Sequence, residues 1–173
     1  MAILPVVLHP DNVLRQKCET VSSVTPEILK LLEDMLDTMY TEEGIGLAAP
    51  QVGISKRVIV VDVEQEEGQP GNPLKMINPE VIAKSETTTV LSEGCLSLPK
   101  MQVDVTRPNE VTVRYMDTDG NTQEVHATDL FAKALQHEID HLNGVLIFDY
   151  LSSMKRDMAL RKYTKTLRMI NEG

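Results

Sequence analysis

With 173 residues, 42% hydrophobic and 25% charged, the sequence has the makeup of one soluble globular domain spanning 1–173. It holds no run of 18 apolar residues, which excludes a membrane-spanning helix, and the short opening Met1–Leu8, with Pro5 and no basic start, is unlike a signal peptide. The net charge of −9 is uneven: residues 152–173 carry six basic and two acidic side chains (+4), while the other 151 carry −13.

The elements follow in chain order. Thr25-Pro26 starts a helix with proline at its first position, and Ile28, Leu31, Leu32, Met35, Leu36 and Met39 give it an apolar stripe. It ends near Glu43-Gly44, with Gly44 acting as a cap. The chain then enters Gly44-Ile45-Gly46-Leu47-Ala48-Ala49-Pro50-Gln51, where small residues let backbone pass close to a ligand and Gln51 offers an amide donor. The plainer reading of this segment is a helix cap followed by a tight turn. Arg57–Val63 reads as a buried strand, Glu64–Pro73 as a polar loop, and Leu74–Ala83 and Thr87–Leu91 as extended. Glu110–Met116 and Asn121–His126 flank Asp117-Thr118-Asp119-Gly120, a predicted hairpin. A helix follows, with Thr128-Asp129 at its start and Asn143-Gly144 at its stop. A basic C-terminal helix occupies roughly Ser152–Asn171. Strands in the middle, with helices interspersed without a βαβ rhythm, predict an α+β fold. Of the two cysteines, Cys18 is expected in the core. An unpaired cysteine fits a reducing cytosol, so a cytoplasmic location is expected.

The helix after Thr128 carries His137-Glu138-Ile139-Asp140-His141. Positions i and i+4 share a helix face, so both imidazoles can reach one ion, with Glu138 beside it as a base for water. The bland alternative is a chance match on an amphipathic helix. A catalytic site needs a third protein ligand and an open position. Downstream routes fail: the metzincin string would need a histidine where Ile147 stands, and the only glutamate after His141 is Glu172. Upstream, Cys95 in Glu93-Gly94-Cys95-Leu96-Ser97 is the candidate, 42 positions before His137; His9 and His126 have no comparable setting. Taken alone, Cys95 reads equally well as a small buried hydrophobe.

Three segments, Gly44–Gln51 as GxGxAAxQ, Glu93–Ser97 as EGCLS and His137–His141 as HExDH, stand in one order along the whole chain. In this the sequence resembles the peptide deformylases. The resemblance implies antiparallel sheets packed around a central HExxH-bearing helix, with a C-terminal helix. It implies a metal-dependent hydrolase that removes the formyl group from the N-terminal methionine of new proteins and releases formate. One divalent ion would be held by Cys95, His137 and His141: Fe²⁺ first, with Zn²⁺ as the alternative and Ni²⁺ or Co²⁺ as substitutes. Glu138 would be the base, and Gln51 with the backbone N–H of Leu96 would stabilise the oxyanion. Leu130 and Ala134 precede His137 by seven and three residues on one face, so with Ile45 and Leu91 they are expected to line a methionine slot. The backbone of Ile45 and Gly46 would pair with the substrate. Gln102 and Lys133 depart from familiar patterns. The expected partners are formyl-methionyl nascent peptides and the ribosome near its exit tunnel, met through the basic C-terminal helix; no membrane partner and a monomer are expected. A metallopeptidase, or an RNA- or ribosome-binding protein with a structural metal, are the competing readings.

Overall fold

In the computed structural model, which describes residues 2–66 and 69–172, the first helix, α1, runs Pro26–Thr41. The Thr25 side chain accepts the N–H of Ile28, and Pro26 sits in the first turn, where a missing N–H costs nothing. Its stripe, from Ile28 to Met39, is buried. The helix closes in a Schellman turn: Glu43 N–H donates to Tyr40 O (3.1 Å) and Gly44 N–H to Met39 O (2.9 Å). Gly44 thus takes part in the cap, but the left-handed residue is Glu43, at φ 59°.

Five strands, β1 (Gly46–Ala48), β2 (Val58–Val61), β3 (Leu74–Lys84), β6 (Glu110–Met116) and β7 (Thr122–Thr128), form one antiparallel sheet in the order β1-β2-β3-β6-β7. A separate ribbon pairs β4 (Thr88–Cys95) with β5 (Leu98–Pro108). In β2, Val58 and Val60 pack with α1, while Ile59 and Val61 join the cluster on the opposite face. A strand covered on both sides can be apolar throughout, which is why Val-Ile-Val-Val carries no alternation. The hairpin turn is where the sequence predicts it. Gly120 has φ 84°, and one carboxylate oxygen of Asp117 accepts the N–H groups of Asp119 and Asn121.

The second helix, α2 (Asp129–Leu142), fills the face of the sheet opposite α1. Thr128 occupies its cap position, although its side chain makes no capping bond, and Gly144 leaves the far end with φ 74°. Ala132, Leu135, Ile139 and Leu142 face the sheet residues Ile59, Val61 and Val113, and Cys18 lies in the same cluster. Burying a leucine fully, as at Leu135, stabilises by about 1.5–3 kcal/mol. The third helix, α3 (Ser153–Glu172), has one buried residue, Tyr163; Ala159, Leu160 and Leu167 pack partly against the β5 cluster. This is the expected α+β arrangement of antiparallel sheets around a central helix, with a C-terminal helix. Strand β5 goes beyond the sequence reading, although Met101, Val103, Val105 and Arg107 alternate there as buried residues with exposed Gln102, Asp104 and Thr106. No helix of the described residues is long and apolar enough to cross a membrane.

Candidate metal centre

Helix α2 puts His137, Glu138 and His141 on its buried side, and the end of β4 brings Cys95 against them. One ligand atom from each of Cys95, His137 and His141 lies within 4.8 Å of the others, and Cys95 Sγ stands 3.3 Å from His141 Nε2. The orientation of His137 is fixed from behind. Its Nδ1 lies 2.9 Å from Glu93 Oε1, and Glu93 is clamped by Arg107 through Nε–Oε2 (2.7 Å) and Nη2–Oε1 (3.0 Å). Arg107 also reaches Asp140 Oδ2 at 2.8 Å, which accepts the Tyr150 hydroxyl at 2.6 Å. Burial works to raise the Glu93 pKa, but the bonds from His137 and Arg107 outweigh it and hold the carboxyl ionised, at about 2. An ionised carboxylate only accepts, so His137 Nδ1 donates and Nε2 is left for a cation.

The charges around the pair are consistent with this. Burial favours neutral His137, yet Glu138, Cys95 and Glu93 push its pKa up, to about 10, so a cation binding at Nε2 displaces a proton. Burial, with His137 and Arg107, drives His141 well below the ordinary histidine range, leaving it a neutral ligand. Burial also lifts Glu138 to about 7, which suits a base that works near neutral pH. Among the described residues, Glu138 Oε1 and His141 Nδ1 are buried without a hydrogen-bond partner. One cysteine sulfur and two imidazoles are a set suited to Zn²⁺ or Fe²⁺, and the orphaned Glu138 Oε1 beside them fits a site that also holds a polar guest.

A cleft of about 480 Å³ opens onto this centre, its lining including Ile45, Gly46, Gln51, Leu96, Ala134 and Glu138. Gly46 is required to be small: a Cβ there would stand 2.6 Å from Glu138 Oε2. Strand β1 is an edge strand. Asp62 N–H bonds Ile45 O across to β2, so in an antiparallel ladder the next residue, Gly46, turns its N–H and C=O toward the free edge. Two residues on, the outward Ala48 N–H is taken by Gln51 Oε1 at 3.0 Å. That bond aims Gln51 Nε2 at Cys95 Sγ (3.5 Å) and Ser97 Oγ (3.3 Å). Ser97 is itself anchored, its carbonyl accepting His9 N–H (3.0 Å) and the Tyr163 hydroxyl (3.4 Å), which also bonds His9 O at 2.7 Å.

A family model described as polypeptide deformylase matches residues 3–157. The chain belongs to the polypeptide deformylase family. It is an enzyme of that family, and a hydrolase. It is 50% identical over 165 residues to a peptide deformylase of Rhizobium meliloti, covering 95% of this chain and 94% of that one. The deformylase of Agrobacterium fabrum is 48% identical, at 97% and 98% coverage. The crystal structure of an Ehrlichia chaffeensis deformylase in complex with actinonin superposes with a TM-score of 0.89 at 43% identity, covering 96% and 98%.

Of the residues singled out in the sequence, the deformylase fold brings together Cys95, His137, His141, Glu138, Gln51, Leu96, Ile45, Gly46 and Ala134. It does not bring Leu91 and Leu130 into the cleft lining. Leu130 is in the first turn of α2, seven residues or about 10 Å of helix from His137, and is 43% exposed. Leu91 is half-buried in β4, beside a shallow depression with Val105 and Arg107. Sequence reasoning missed Arg107, Tyr150 and the role of Glu93. The available signal was a lone arginine on the buried side of an alternating strand, which demands a carboxylate.

Proposed function

We propose that this enzyme removes the N-formyl group from the N-terminal formyl-methionine of newly made proteins, releasing formate, with one divalent ion held by Cys95 Sγ and by Nε2 of His137 and His141. The observation that carries the reading is buried Glu138, its Oε1 unpartnered, at the floor of a cleft beside that ligand set. Such an ion supplies Lewis acidity, making water acidic near pH 7 and polarising a carbonyl. Glu138 takes the proton of the attacking water and returns it to the amine that leaves. Gln51 Nε2, whose present contacts are long, and the Leu96 N–H donate to the oxygen on which charge develops; one such donor is worth about 10²–10³ in kcat. The substrate chain lies as an added strand along the free edge of β1, paired to Gly46, with its methionine side chain toward Ile45 and Ala134. Fe²⁺ is the working ion; Zn²⁺ lies above it in affinity and replaces it when offered.

The test is formate release from formyl-Met-Ala-Ser, with metal analysis of anaerobically prepared protein. Glu138→Ala keeps its metal and loses about 10²–10⁴ in kcat; near-normal turnover would sink the assignment. A metallopeptidase would instead cleave the unformylated peptide. The exposed Arg161, Lys165 and Arg168 of α3 suit rRNA phosphates, while Leu160 and Leu167 are turned to the body. Reversing the three charges abolishes pelleting with ribosomes at low salt and leaves peptide turnover intact.

A further inference from the structure

A second groove, of about 180 Å³, lies between α3 and the start of β5. It shares Pro99, Lys100, Met101 and Gln102 with the lining of the catalytic cleft, so the two depressions run into each other over that ridge. Its far wall comes from α3, through Ala159, Lys162, Tyr163 and Thr166. Lys100 and Lys162 are exposed, and no acidic residue is among those that line the groove. Glu42 and Glu43 line the cleft but not the groove. On a body whose first 151 residues carry −13, this groove is a local positive depression.

We propose that the groove receives the downstream part of the peptide substrate, the residues after the third, and favours acidic side chains there. The inference rests on the deformylase reading for its occupant, and on continuity with the cleft for its path. An extended chain with its formyl end at Glu138 advances about 3.3–3.6 Å per residue, so residues beyond the third clear the catalytic floor. A segment that passes from the cleft into the groove leaves Glu42 and Glu43 behind and meets Lys100 and Lys162. Acidic side chains are drawn to the Lys100–Lys162 side and repelled from Glu42 and Glu43. Met101 and Tyr163 at the base are buried and give the chain a firm floor.

The experiment compares three C-terminally amidated peptides: formyl-Met-Ala-Ser, the same extended by three alanines, and the same extended by Glu-Glu-Ala. Amidation keeps a terminal carboxylate from imitating an acidic side chain. The acidic hexapeptide is expected to show a KM roughly twofold to fivefold below the alanine one at low salt, the worth of an exposed ion pair. Added salt erases the difference. Lys162→Glu reverses the preference and Lys162→Ala removes it, while both leave tripeptide turnover unchanged. Equal KM for the two hexapeptides in the wild-type enzyme, or an undiminished preference in both variants, would overturn the proposal. Wild-type protein that turns over none of the three would instead overturn the deformylase reading itself.

Discussion

Helices α2 and α3 are built to different standards. Eight of the 14 residues of α2 are buried, and the β4–β5 ribbon bolts it down, Glu93 on His137 and Arg107 on Asp140. Of the 20 residues of α3 only Tyr163 is buried, and Met154, Met158 and Met169 stand in solvent at 63–74% exposure. The contrast shows where positional accuracy is needed. The ligand and base proposed on α2 would have to be held to within a fraction of an ångström, and their helix is packed on one side and hydrogen-bonded on the other. A helix that presents a surface needs only an anchor.

The sharpest way to break that contrast is to unclamp α2. Arg107→Leu leaves Glu93 and Asp140 buried or half-buried without their cation, and is expected to cost about 3–5 kcal/mol in chemical denaturation, with weakened metal retention by His137. A loss below 1 kcal/mol would mean the network is dispensable. Next comes Leu135→Ala, a cavity at a fully buried position, at about 2–5 kcal/mol in the same assay. The root of α3 gives a smaller, pH-dependent effect. Arg15 grips Asp149 with two bonds (2.6 and 3.0 Å), and Asp149 also accepts Leu146 N–H. Burial works to raise the Asp149 pKa, but those bonds and the nearby Arg15 and Arg156 charges outweigh it, so the folded value is depressed. Its contribution to stability is therefore present above the unfolded value of about 4 and is lost as pH falls through the lower folded one. Asp149→Asn should lower Tm at neutral pH, and the gap to wild type should shrink below about pH 4. A gap that widens there reverses the sign and the argument. Smallest is Met158→Ala on α3, expected within about 0.5 kcal/mol of wild type; a larger loss would show that this face is covered in solution.

What the sequence discloses follows from the range of each determinant. Local signals are legible: the Thr25-Pro26 start, the Asp117–Gly120 turn, and the i, i+4 spacing of His137 and His141 each act within a few residues. The candidacy of Cys95 is legible by chemistry, because two imidazoles are an incomplete set, and the fold does bring its sulfur beside them. The Glu93–Arg107–Asp140–Tyr150 network joins a ribbon, a helix and the turn after it, across 14 to 43 positions. No local pattern announces it. Helix periodicity places Leu130 on the face of Ala134 and His137, yet says nothing of where the cleft stops, and the cleft ends before the first turn of α2. Strand β5 was readable from its alternation, but Lys100 at φ 64°, beside Pro99, interrupts the pattern near its start.

The Ser97 carbonyl is held from both directions of the chain, by the N–H of His9 and by the hydroxyl of Tyr163, which bonds His9 O as well, 154 positions away. Seen from the order of synthesis, this sets a schedule. The segment beside Cys95 is made past the midpoint of the chain, when its upstream hold at His9 is already present. Its downstream hold does not exist until Tyr163 has been added and α3 has folded back across β5. The lock on the Ser97 carbonyl is therefore completed only by the last helix, and a contact that spans so much of the chain carries a loop-closure cost that slows folding.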